Sequence, residues 1–315
     1  MVEIVIAFVL DLILGDPVYP WHPARVIGRL IERLEGGLRS RILNERLAGF
    51  LEAFAISSAT FFFVWFLTEL ASQIHPTLKS ILSIYFLYSA ISVKDLSIEA
   101  RKISTALRNQ KLDVARKNLS LIVGRDTQNL GEMEVVRATV ESVAESFVDG
   151  VLSPLFYAAL GGAPLAMAYK AINTLDSMVG KRTPRYREFG FAAAKLDEIV
   201  NWIPARISWL LIGVGSFFVN GRGAEAWRVG LEDGVAAFFS NSVVPEAAFA
   251  GALGVELGGT NFYDGEKVET PKLGYSMRPL ERSDIRLASR LMKASSWAAL
   301  VFALMLNCLS YLIFH

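Results

Sequence analysis

The 315 residues are 53% apolar with a mean hydropathy of +0.38, yet 20% are charged, which excludes both an ordinary soluble domain and a bare bundle of spans. Thirty-two basic against thirty-one acidic residues leave a formal net charge of +1, so nothing electrostatic points to nucleic acid as a partner. Cys308 is the only cysteine and lies in an apolar run, which leaves no disulfide framework and no thiolate metal cage. Apolar segments run through the whole length, so a single membrane-embedded domain, 1–315, is expected.

In chain order, residues 1–14 are apolar but begin with Glu3 rather than a basic stretch. No small-residue cleavage site precedes Asp16-Pro17, so the segment is expected to be retained. Asp11, Asp16, Trp21-His22-Pro23 and Arg25 then gather around two proline-restricted turns. His22 there is a proton shuttle, a metal ligand or an interfacial turn residue. His75 and His315 carry no such context.

A bilayer core takes about 20 apolar helical residues, and 48–67, 78–93 and 296–314 meet or approach that length. Glu52 interrupts the first near its start, where it reaches for the interface. Phe61-Phe62-Phe63 reads as lipid-facing bulk, and Trp65 and Trp297 as interfacial anchors. The connection 68–77 lacks Lys and Arg while both flanks carry them, so it points outwards. Residues 94–122 predict an amphipathic helical pair joined near Arg108-Asn109-Gln110.

Three further apolar stretches are interrupted. Residues 150–169 contain Pro154 and Gly161-Gly162-Ala163-Pro164; 203–219 carry Pro204 and Arg206 at the head; 235–259 contain Ser240-Asn241-Ser242 and Pro245-Glu246. If 150–169 and 203–219 each crossed once, the basic loop with Lys170, Lys181, Arg182, Arg185, Arg187 and Lys195 would lie outside, against the positive-inside bias. The 150–169 stretch is therefore expected to be broken or re-entrant, as helices lining a cavity can be. Residues 258–280, rich in Gly, Pro, Asp and Tyr, read as a structured loop. The fold class predicted is all-α: a polytopic membrane protein with broken helices and amphipathic helices on the cytoplasmic side.

The candidate chemistry is concentrated in a few stretches. Glu134, Arg137, Glu141, Glu145 and Asp149 follow one another at spacings of 3, 4, 4 and 4, which places them on one helix face. Four carboxylates in a stripe repel unless they share a cation, an arginine or a cationic substrate, and the stripe leads into the membrane segment at Gly150. Val123-Gly124-Arg125-Asp126-Thr127 has the composition of a helix N-terminus that holds a phosphate or carboxylate, or of a plain N-cap. Lys170, Asn173 and Ser177 share a face bordered by Asp176, with Lys181 beyond. Asp197, Glu198 and Asn201 occupy one arc of the next helix, ahead of Arg206. Polar faces beside membrane segments are costly unless they line a site. No phosphate loop, dinucleotide fingerprint, serine elbow or HExxH is present.

Taken together, GDPVYPWHPARVIG, VGRDT, VRATVESVAESFVDGVLSPLFYAALGG, YKAINTLDSMVGKR, RYREFGFAAAKLDEIVNWIPAR and PEAAFAGALGVELGG resemble the adenosylcobinamide-phosphate synthase (CbiB/CobD) family of cobalamin biosynthesis, in order and over most of the chain. The resemblance implies an ATP-dependent amide ligase that joins aminopropanol or its phosphate to the free propionate of adenosylcobyric acid, with Mg²⁺. It implies a multi-pass protein of the cell membrane with its active site facing the cytoplasm, acting beside other late enzymes of the pathway.

On that reading Glu141, Glu145, Asp149 and Lys170 are the catalytic candidates. Asp16, His22, Arg25, Arg125, Asp126, Thr127, Arg137, Asn173, Asp176, Ser177, Lys181, Asp197, Asn201, Arg206, Asn241 and Glu246 bind phosphate or substrate, and Glu145, Asp149 and Asp176 hold the metal. Ser146, Glu198 and Ser242-Val243-Val244 depart from the family pattern, which puts the roles of those positions in question. Two other readings stand beside it: a non-enzymatic membrane sensor of the AmpE type, and a corrinoid carrier. Binding without ATP-dependent product formation is their signature.

Overall fold

The computed structural model describes all residues except 17, 18, 182, 237–239 and 315, so Pro17, Arg182 and His315 lie outside the described residues. Thirteen α-helices are present among them: α1 (Val2–Leu14), α2 (Pro23–Arg41), α3 (Glu45–Ile74), α4 (Pro76–Ala90), α5 (Val93–Arg108), α6 (Leu112–Leu119), α7 (Glu132–Phe147), α8 (Ser153–Val179), α9 (Phe191–Val200), α10 (Trp202–Val219), α11 (Gly223–Val229), α12 (Val243–Leu253) and α13 (Asp284–Phe314). A π-turn, Val148–Leu152, joins α7 to α8, and a second, Gly230–Val235, follows α11. A two-stranded antiparallel sheet, β1 (Leu257–Tyr263) and β2 (Glu266–Leu273), precedes α13.

Five helical stretches are long and apolar enough to cross a bilayer: Glu45–Ile74, Pro76–Arg108, Glu132–Val179, Trp202–Val219 and Asp284–Ser310. The chain is an all-α polytopic membrane protein. The three spans expected at 48–67, 78–93 and 296–314 are the apolar portions of α3, α4 and α13. Phe62 and Phe63 are exposed on α3, as lipid-facing residues are.

The contacts sort the chain into two compact units, residues 1–92, 153–202 and 300–315 in unit 1, and 93–152 and 203–299 in unit 2. In unit 1, α3 packs along α8 and α4, and α1 packs on α4. His75 ends α3 and caps α4, its ring nitrogen accepting from Thr77 N at 3.2 Å, so the connection between the two spans is a single residue with a capping task. Glu52 is turned into the protein. It is 0% exposed in α3, and neither carboxyl oxygen has a hydrogen-bond partner.

The break expected in 150–169 is present. Gly161 and Gly162 leave helical geometry inside α8, Gly162 at φ +64°, and Pro164 falls in the first turn of the resumed helix, where its missing N–H costs nothing. The expected break in 203–219 is absent. Pro204 falls in the first turn of α10, where proline is tolerated, and the helix runs unbroken to Val219. The stretch 235–259 is broken as expected, α12 being only 11 residues long.

In unit 2, α12 packs on α7 and α11, and α5 packs on α6 and α7. The pair expected over 94–122 is α5 and α6, turned at Gln110, whose φ is +57°. The stretch 258–280 is not merely a loop. Asp264 and Gly265, at φ +50° and +81°, make a two-residue turn of the type I′ class that right-twisted strands favour, and it pairs Tyr263 with Glu266.

Candidate functional site

Unit 2 builds its polar centre around Glu141. Arg125 does not sit at a helix N-terminus, because α7 starts later, capped at Gly131, whose N–H donates to Glu134 at 2.5 Å. Arg125 turns inwards, and its Nη1 donates to Glu141 Oε2 at 2.6 Å and to Asn261 Oδ1 at 2.7 Å. Arg137, one turn before Glu141, donates to Glu141 Oε1 (3.2 Å), Gly258 O (2.5 Å) and Thr260 O (2.8 Å). The Gly258 N–H donates to Glu141 Oε1 at 2.8 Å.

Both oxygens of Glu141 are therefore occupied, and the side chain is 2% exposed. Burial is the largest single influence and acts to lower the Arg125 pKa, but the charge and hydrogen bond of Glu141, with the smaller pulls of Tyr263 and Glu246, together outweigh it and hold the guanidinium above its ordinary value. The pair clamps α7 and the loop before it to β1. Asp126 belongs to the same fastening, its N–H donating to Phe262 O and its carboxylate accepting from Gly265 N, each at 2.8 Å. Thr127 is buried beside it.

The acidic stripe is thus divided by task. Glu134 caps the helix, Glu141 is locked, and Glu145 and Asp149 remain on the surface of the unit, the first exposed and the second half-buried. Asp149 lies inside the π-turn, where the extra residue per turn ends the strict four-residue spacing; such turns recur at functional sites. Glu246, on the first turn of α12, is half-buried. Burial, then repulsion from Glu141 and Glu145, pushes its carboxyl well above the usual range against the pull of Arg125 and Arg137, so it stays protonated far closer to neutrality than a free carboxyl. Arg206, in the first turn of α10, donates to Asn241 Oδ1 at 2.5 Å.

Unit 1 carries a second network. Asn201 is 2% exposed; its Oδ1 accepts from Ser153 Oγ at 2.6 Å and from Tyr169 OH at 2.9 Å, and its Nδ2 donates to Asp197 Oδ2 at 2.9 Å. Tyr157 stacks on Tyr169 at 5.3 Å and donates to Val200 O. Asn173 donates weakly to Asp197 Oδ1 at 3.5 Å. Burial, with the neighbouring charge of Asp176, pushes the Asp197 carboxyl up to about 6, against the hydrogen bonds from Asn201 and Asn173. Lys170 and Ser177 flank Asn173 on α8 as their spacing predicts, Ser177 bonding back to Asn173 O, and Lys181 is exposed beyond the helix end.

His22 is 2% exposed at the N-cap of α2, with Nε2 2.6 Å from Asp16 Oδ1 and its ring edge-on to Tyr19 at 5.4 Å, while Arg25 is exposed. Sequence reasoning missed Asn261, Ser153, Tyr157 and the Gly258 and Thr260 backbone. Only the Asp-Gly turn of the hairpin announces any of these in advance.

Among the described residues no three His, Cys, Asp or Glu side chains gather into a cation cage. Mg²⁺ does not require one, since it is commonly held by one or two carboxylates with water and substrate phosphates completing the octahedron. The hard-oxygen pair Glu145 and Asp149 fits that pattern. Asp176, the third expected ligand, stands with Asp197 in unit 1.

Buried carboxylate, amide and guanidinium networks beside membrane-length helices are costly unless they line a site, which makes this a polytopic membrane protein with a candidate site network in each unit. The family model described as CobD/CbiB protein matches residues 4–292. The cobalamin biosynthesis protein CobD of Clostridium perfringens is 42% identical over 310 residues, covering 98% of each chain. CobD of Geobacter metallireducens is 44% identical over 286 residues, 91% of this chain and 90% of its own. CbiB of Salmonella arizonae is 40% identical over 306 residues, 96% of each. No solved structure matches. The chain belongs to the CobD/CbiB family of cobalamin biosynthesis proteins.

Proposed function

We propose that the protein is an adenosylcobinamide-phosphate synthase of the cell membrane: an ATP-dependent ligase that joins the amine of aminopropanol phosphate, or of aminopropanol, to the free propionate of adenosylcobyric acid. The observation that carries this reading is the match to CobD and CbiB relatives over nearly the whole chain. A carboxylate resists attack by an amine until it is activated; ATP with Mg²⁺ supplies that activation by making phosphate the leaving group.

The roles follow from what each side chain has left to offer. Glu145 and Asp149 hold the metal. Glu246, whose carboxyl holds its proton to higher pH than a free carboxyl does, donates a hydrogen bond in its protonated form to an oxygen that gains negative charge as the amine adds. In unit 1, Asp197, titrating near 6, is deprotonated at neutral pH and can accept a proton from substrate, with Lys170 and Lys181 offered to phosphate oxygens and Asn173 and Asp176 to corrinoid amides. In unit 2, Arg206 is the cation offered to phosphate. Arg125, Arg137 and Glu141 act at one remove, by fixing α7.

The test is purified protein with adenosylcobyric acid, ATP, Mg²⁺ and either aminopropanol or its phosphate, with products read by mass. The reading predicts a new amide that forms only when ATP is present. Corrinoid binding without ATP-dependent product would instead point to a carrier.

A further inference from the structure

Unit 2 carries a second concentration of charge, positive this time, at the start of α13. Arg282, Arg286 and Arg290 recur every fourth residue, which stacks them on one side of the chain. Like charges at that spacing repel, and cations in the first turn of a helix oppose the partial positive charge of its unpaired N–H groups. Two arginines of this region are answered. Arg282 donates to both oxygens of Glu132, and Arg278 to both oxygens of Asp284, at 3.0 and 2.5 Å. The guanidiniums of Arg286, Arg290 and Arg108, the last residue of α5, have no ion pair or hydrogen bond among the described residues.

These cations face shared space. Arg108 and Arg286 line an open cleft of about 500 Å³ with Arg282, Ser104, Ser283 and Glu281. Arg286 and Ser283 also line an adjoining cleft of about 310 Å³ that adds Arg290. With Glu132 and Asp284 already paired, Glu281 is the one carboxylate set against three unanswered guanidiniums, and it accepts from Ser283 Oγ at 3.1 Å.

The place along α13 discriminates between anions. Its apolar stretch begins near Ser296, ten residues after Arg286, which is about 15 Å of helix. The headgroup layer outside the hydrocarbon is only about 5–8 Å deep on each side, so Arg286 stands beyond it. A soluble anion fits better than a lipid headgroup, and three cations set at two levels one turn apart suit an anion with more than one charged group.

We propose that this cleft is a binding site for a compact soluble polyphosphate. It is separate from the carboxylates Glu145 and Asp149, because Glu132 at the cleft and Glu145 lie thirteen residues apart on α7, about 20 Å along the helix. The inference therefore does not depend on the ligase reading.

The experiment is calorimetric titration of the full-length protein in detergent with inorganic tripolyphosphate at constant ionic strength. Saturable binding is expected, weakened at least about tenfold in Arg108→Glu/Arg286→Glu, and partly retained in Arg286→Lys. If the double charge reversal fails to fold, as its melting transition reveals, Arg286→Gln serves in its place with a smaller loss expected. No saturable binding to wild type, or equal binding to folded variants, overturns the proposal. So does displacement of tripolyphosphate from the detergent-solubilised protein by short-chain phosphatidylglycerol at constant ionic strength but not by inorganic pyrophosphate, which identifies a lipid headgroup as the ligand.

Discussion

Glu141 and Glu145 are one helical turn apart, yet their surroundings give them opposite tasks. Removing the charge of Glu141 leaves two buried guanidiniums short of their counter-ion, an arrangement that costs about 3–5 kcal/mol. Glu141→Gln should therefore lower the melting temperature of the detergent-solubilised protein and lower activity with it. Glu145→Gln and Asp149→Asn should abolish turnover with the fold intact; wild-type turnover in either variant would remove them from the site.

Asp197 makes a prediction in pH. Its folded pKa, about 6, lies above the ordinary aspartate value, so the carboxyl is protonated below that pH and a base above it. The stability sign is opposite to that of a salt-bridged aspartate: between the ordinary value and about 6 the folded state binds the extra proton, so stability falls as pH rises through that window and is level above it. Turnover, in contrast, should rise through pH 6 and plateau. Asp197→Asn should lose the plateau, and an unshifted profile in that variant would exclude Asp197 as the base.

At the scale of elements, the β-hairpin is what positions the clamp, since Gly258, Thr260 and Asn261 of β1 all bond to Arg125, Arg137 or Glu141. A β-branched residue at Gly265 meets φ +81° at a cost of about 1–2 kcal/mol and loosens the turn. Gly265→Val should increase protease cleavage near 264 and reduce activity while all five spans still insert; unchanged proteolysis would show the turn to be unimportant.

The long apolar helices were legible because a run of about 20 apolar residues has few other uses. The break at Gly161-Gly162 was legible because glycine and proline together defeat a helix. Pro204 misled because proline in a first turn looks in sequence like proline in a break. The hairpin was overlooked although Asp264-Gly265 signals one, the Gly and Pro richness around it reading as loop. The clamp was out of reach, since Arg125 and Asn261 are 136 residues apart and nothing local says that an arginine after a turn glycine will point inwards. The burial of Glu52 shows the same limit, since the helices that cover it lie far away in sequence.

For the molecule as a whole, unit 1 and unit 2 each contain a carboxylate whose pKa lies above its ordinary value, Asp197 in one and Glu246 in the other. Such values cost stability and are kept where chemistry uses them. Full-length similarity to CobD and CbiB proteins places the chain in cobalamin biosynthesis, and the ligase reading proposed for it has activation of the propionate by phosphate as its central claim. The most direct test is adenosylcobyric acid labelled with ¹⁸O in its free carboxylate. Amide formation through phosphate activation predicts one labelled oxygen in the inorganic phosphate released per amide formed. Unlabelled phosphate alongside amide product, or label released only as water, would contradict it.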